Sequence, residues 1–123
     1  MSRPRPIRSL GLLILVQLVP IASWAGAPRI TDAQAAAHVG QSVVVEGRVV
    51  AVYTSPSGNI FLNFGAVYPG EDFSVVIYSI DGGSFLNVAK YDHKRVAVSG
   101  TVERYRGKPE IVVHSPRQLR LLG

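Results

Sequence analysis

Hydrophobic and polar residues alternate along most of this chain, and the places where alternation fails mark its organisation. An apolar run comes first, "LGLLILVQLVPIA" at 10–22. "ITDAQAAAHVG" at 30–40 follows, where Thr31 with Gln34 three residues on is a capping-box pattern before alanines, predicting a short helix that Gly40 ends. From residue 42 the period is two. "SVVVEGRVVAVYT" (42–54), "NIFLNF" (59–64), "FSVVIYS" (73–79), "KRVAVSGTVERY" (94–105) and "EIVVH" (110–114) each read as a strand. "SPSG" and "RGKP" supply turns, "GAVYPGED" a loop, and "SPRQLRLLG" a tail with one more edge strand. "DGGSFLNVAKYD" breaks the period, and Ser84 there caps a predicted helix with Phe85, Val88 and Ala89 on one face.

Alternation also assigns faces. Val45, Val49, Leu62, Val75, Ile77, Val98 and Ile111 are predicted to share one core. Phe61 and Asn63 on the second strand, and Ser74, Val76 and Tyr78 on the third, then point outward. Gly47 and Gly100 interrupt the long first and fourth strands, as a bulge or sharp bend does when long strands close a barrel. The order of three strands, a helix and two strands predicts an all-β, five-stranded OB-fold Greek-key barrel, with short helices at the N-terminus and between strands three and four.

Charge changes the picture at the N-terminus. Arg3, Arg5 and Arg8, the apolar run and "SWA" at 23–25 form the three parts of a secretory signal, so residues 1–25 are expected to be removed and 26–123 to form one domain, periplasmic or secreted. The three arginines take the formal net charge from +5 to +2, so bulk basicity is no argument for a nucleic-acid partner. Cysteine is absent, which excludes a disulfide framework and a thiolate metal site and leaves a domain of about 100 residues to its core alone.

The run from "HVGQSVVVEGRVVAVYTSPSGNIFLNFGAVYP" to "YRGKPEIVV" resembles a family of exported bacterial OB-fold domains, found alone or beside secreted nucleases. The resemblance implies nucleic-acid binding, with a nuclease as a possible protein partner. His93 stands where the resembling pattern has glycine before the fourth strand.

Candidate chemistry lies on the outer face and one hairpin. Phe61 and Tyr78 on neighbouring strands, with Asn63 between, form a surface on which bases could stack and be hydrogen-bonded. The same rings could instead be covered by the N-terminal helix or by the 65–72 loop. At the "RYRGKP" tip Arg106 and Lys108, extended by Arg48, would track phosphates and Tyr105 would stack, or the tip is a solvated turn. His38, His93 and His114 have no ligand spacing, Asp72, Asp81 and Asp92 fall in loops, and neither a nucleophile elbow nor a phosphate loop occurs. No enzyme, cofactor or metal is expected. Two functions remain: an exported module binding single-stranded nucleic acid with little sequence preference, or a periplasmic OB-fold stress protein binding a small or cationic ligand or a protein partner.

Overall fold

A computed structural model describes residues 24–123; of the expected leader, residues 1–23 lie outside the described residues. The described chain is all-β. Its eight strands are β1 (Arg29–Thr31), β2 (Ser42–Thr54), β3 (Ile60–Phe64), β4 (Phe73–Ile77), β5 (Arg95–Thr101), β6 (Glu103–Tyr105), β7 (Lys108–Val112) and β8 (Leu119–Leu121). They form one sheet in the order β6-β7-β4-β3-β2-β5-β8, with β1 parallel to the start of β2. β7 runs parallel to β4, and only the buried Val102 separates β5 from β6. The five strands predicted from the period are therefore β2, β3, β4, β5 with β6, and β7. β8 is the edge strand expected of the tail, whereas β1 was not legible.

Inward positions behave as alternation requires. Val45, Val49, Leu62, Val75, Ile77, Val98 and Ile111 are each 0% exposed and belong to one hydrophobic cluster. The break in β2 lies elsewhere than expected. Gly47 pairs regularly with Val96, while the register with β3 slips between Val49 and Ala51, leaving Val50 as the bulge. The slip reverses the phase of β2. Val43, Val45 and Val49 face the core before it and Val52 faces it after, so Arg48 and Tyr53, five residues apart, both point outward. The two strand glycines are required by close approach. A Cβ on Gly47 would collide with Asp32 Oδ1, and one on Gly100 would lie 2.5 Å from Ile111 Cγ2.

The alanine segment forms a 3-10 helix, Asp32–His38, and Gln34 Oε1 accepts from the Thr31 amide at 2.9 Å. The single helix predicted after Ser84 is instead two short 3-10 helices, Ser79–Ser84 and Val88–Tyr91. Gly82 and Gly83 favour no helix, and Asn87 breaks it by adopting a left-handed conformation (φ 60°). Phe85 and Tyr91 from this segment are buried against the core. His93 has φ 61°, so the backbone keeps the glycine-like conformation although the residue differs.

One polar cluster ties the N-terminal 3-10 helix to the loop before β4. Burial, the close Asp32 carboxyl with its charge, and the Glu71 charge push the Asp72 carboxyl up to about 6, against a partly offsetting backbone hydrogen bond. Two carboxylates this close cannot both ionise cheaply. Asp72 also packs on Gly65 so tightly that a Cβ there would meet its carboxylate at about 2.5 Å.

Candidate nucleic-acid interface

Pairing across β2, β3, β4, β7 and β6 builds the outer face in two rows. One row runs Tyr53, Phe61, Val76 and Val112; the next runs Ala51, Asn63, Ser74, Glu110 and Glu103. Tyr53 and Phe61 are cross-strand partners whose rings stack with centroids 6.1 Å apart and planes 28° apart. Tyr53 is 54% exposed and Tyr78, just past β4, is 43% exposed. Phe61 is half-buried, its ring lying against Tyr53. Tyr105 on β6 adds a further exposed ring.

The expected outward residues of β4 are not open. Val76 and Ser74 are buried in the rows, and so is Asn63, whose Oδ1 accepts from Ser74 Oγ at 2.9 Å. Asn63 is therefore committed to the sheet rather than presented to a ligand. The polar character of this face comes from residues outside the expected contact set. Glu103 and Glu110 are directly opposed across β6 and β7. Burial and the Glu103 charge raise the Glu110 pKa above its ordinary value. Burial, then Glu110, Glu103 and Tyr105, raise that of Tyr78. The ring face is thus locally acidic.

The hairpin tip is smaller than "RGKP". Arg106 (φ 52°) and Gly107 (φ 81°) alone form the turn, both left-handed, which is the two-residue geometry that matches strand twist. The Arg106 guanidinium lies 5.2 Å from the Tyr105 ring centroid, and Arg104 Nη1 reaches the Gly107 carbonyl at 3.4 Å. Lys108 is not a free phosphate contact. Its Nζ donates to the carbonyls of Pro69 and Glu71 and lies 3.4 Å from Glu71 Oε1, so it holds the 65–72 loop in place. The tip of that loop projects, with Tyr68 74% exposed.

Arg48 does not extend the hairpin patch. It pairs with Arg95 at the start of β5, whereas the hairpin follows the end of that strand, so the length of β5 separates them. Tyr53 was legible in principle, since its partner Phe61 was assigned outward. The bulge at Val50 hid it by changing the phase.

No family model matches the chain, and no curated protein matches it. Among solved structures, it is similar to one from Leishmania major Friedlin assigned as an aspartyl-tRNA synthetase. The likeness has a TM-score of 0.51 and 13% identity, and covers 84% of this chain but only 22% of that one. At that identity it speaks for the fold alone.

Proposed function

We propose that this protein is an exported OB-fold module that binds single-stranded nucleic acid on the outer face of β2, β3 and β4. The fold part is supported by the circuit of pairings β2–β3–β4–β7–β6, returned to β2 by β5, which the almost continuous β5 and β6 would close into a five-stranded Greek-key barrel. The observation that carries the binding part is the stacked Tyr53–Phe61 pair, flanked by the open rings of Tyr78 and Tyr105. Every base has a face to stack, so rings of this kind bind single strands with little sequence preference. Arg104 and Arg106 at the hairpin tip supply charge for phosphates. The structural neighbour has tRNA in its name, a link that is an analogy of fold.

The test is fluorescence anisotropy with a labelled single-stranded oligonucleotide of mixed sequence. Tyr53→Ala and Phe61→Ala are each expected to weaken binding by about 1–3 kcal/mol. The melting temperature of Tyr53→Ala should hardly move, because the ring is largely in water. Wild-type protein that fails to bind at low salt, or ring variants that bind unchanged, would overturn the reading. Glu103 and Glu110 favour a second one, a small cationic ligand on the same face. Saturable binding of spermine that Glu110→Gln abolishes, with no oligonucleotide binding, would select it.

A further inference from the structure

Arg104, Arg106 and Lys108 lie at the hairpin tip beside Tyr105. A second group of cations lies on the outer face of β1, the first half of β2, β5 and β8. Arg48 and Arg95 are direct cross-strand partners, and Glu46, Ala97 and Arg120 form the next row. Arg29 on β1 completes the cluster, pairing with Glu46, whose other oxygen lies 4.0 Å from Arg95. One carboxylate therefore serves two guanidiniums. Arg48 Nη1 donates to the His93 carbonyl at 2.8 Å, and neighbouring Asp92 pairs with the His93 ring at 2.9 Å. Arg120 lies 3.9 Å from the centroid of the Trp24 ring, whose Nε1 donates to the Arg117 carbonyl. Like charges opposed across a β-ladder destabilise it. Glu46 offsets part of this repulsion, and the cluster still sets four arginines, Arg29, Arg48, Arg95 and Arg120, against that one carboxylate, a surplus that suits an anion from outside.

The bulge at Val50 connects this cluster to the rings. Strict alternation would put Arg48 and Tyr53 on opposite faces of β2; the extra residue brings both outward on one continuous strand. Five residues of strand rise about 17 Å, a distance that about five stacked nucleotides cover at roughly 3.4 Å each. We propose that the arginine face is a second contact surface, taking the phosphates of the same single strand whose bases lie on Tyr53 and Phe61. Arg48, Arg95 and Arg120 are the contacts, and β2 is the path between the two halves. The proposal rests on the nucleic-acid reading above. A flexible strand can follow the twist of a long β-strand, whereas a flat lipid surface cannot touch both ends of one. Cleavage after Ala25 would remove Trp24 and leave the Arg120 guanidinium open.

The experiment compares the full chain with Arg48→Gln/Arg95→Gln and, on a separate strand, Arg120→Gln. Each is titrated with labelled oligonucleotides of 4 and 12 nucleotides over a salt series, with thermal melts to show that the fold is kept. A 4-mer reaches only the rings; a 12-mer reaches both surfaces. The double variant should bind the 12-mer at least tenfold more weakly, with a log K against log salt slope flatter by about 1.4, two contacts at about 0.7 each. Arg120→Gln should flatten it by about 0.7. Binding of the 4-mer should be unchanged in both. An unchanged 12-mer slope in both variants overturns the proposal, as does equal loss for the two lengths. Binding to phosphatidylglycerol vesicles that the substitutions abolish, with the 12-mer unaffected, overturns it in favour of a membrane. If Tyr53→Ala weakens both lengths while the arginine variants weaken neither, only this inference fails. If wild-type protein binds neither oligonucleotide, the proposed function fails with it.

Discussion

Replacing Asp72 by asparagine should stabilise the protein at neutral pH. Burial, with Asp32 close by, pushes the Asp72 carboxyl from 3.8 to about 6. The folded state therefore binds more protons than the unfolded state between those values, so stability falls as pH rises through that window. Below 3.8 the group is protonated in both states and no penalty exists; above about 6 the penalty is complete. At about 1.4 kcal/mol per pH unit the difference is bounded near 3 kcal/mol, and partial contact of Asp72 with water reduces it to about 1–2 kcal/mol. The amide introduced by Asp72→Asn keeps an N–H for Asp32 and carries no charge. Melting at pH 7.5 should rise by at least about 4 °C for a domain of this size, and the gain should shrink to nothing near pH 3.5. A variant that melts at or below wild type at pH 7.5 would refute the account of a penalised buried carboxylate, as would a gain that persists undiminished at pH 3.5.

Two further outcomes follow from the packing and the hairpin. Ile77→Ala, at a fully buried position of β4, should cost about 2–5 kcal/mol by lost transfer energy and a cavity, read as a lower midpoint in urea unfolding; tolerance there would mean that β4 does not face the core. Arg106→Asn, at φ 52° beside Gly107, should keep or raise the melting temperature because Asn-Gly suits a turn with both residues left-handed. The same change should weaken oligonucleotide binding and flatten its salt slope by about 0.7; unchanged binding would remove the hairpin tip from the interface.

Much of the sheet was legible because one face of every long strand is buried, and burial writes a period of two into the sequence. The inward residues of β3, β4, β5 and β7 follow from that alone. What escaped has identifiable causes. The bulge leaves no mark of its own in "GRVVAVYT": Val50 is as apolar as its neighbours, so nothing signals the change of phase that turns Tyr53 outward. Gly47 reads as the kink, yet its missing Cβ makes room for Asp32, which follows β1 where Thr31 pairs with Glu46. Asn63 reads as an exposed amide by alternation, but β4 is covered on both faces and Ser74 claims its oxygen. Lys108 reads as a free cation at a turn, and only the fold brings the 65–72 loop against it. Long-range contacts decide each of these cases, and local pattern cannot carry them.

The distribution of charge bears on which reading of the ring face is physically coherent. The sheet contains two like-charge pairs in direct opposition, Arg48 with Arg95 and Glu103 with Glu110, and they lie on different parts of its path. Exchanging one member of each would neutralise both pairs and steady both ladders. The sequence instead opposes two arginines on the β2–β5 side and two carboxylates beside Tyr78. A carboxylate repels phosphate but accepts hydrogen bonds from the exocyclic amines of bases, as Glu and Asp do from cytosine N4. A single strand meeting this surface thus has one favourable orientation across it: bases inward over Tyr53, Phe61 and Tyr78, where Glu103 and Glu110 can accept from their edges, and backbone turned toward the arginines. Glutamates among the aromatics, which a simple rule of basic patches would count against nucleic acid, then help to set the direction in which the strand lies.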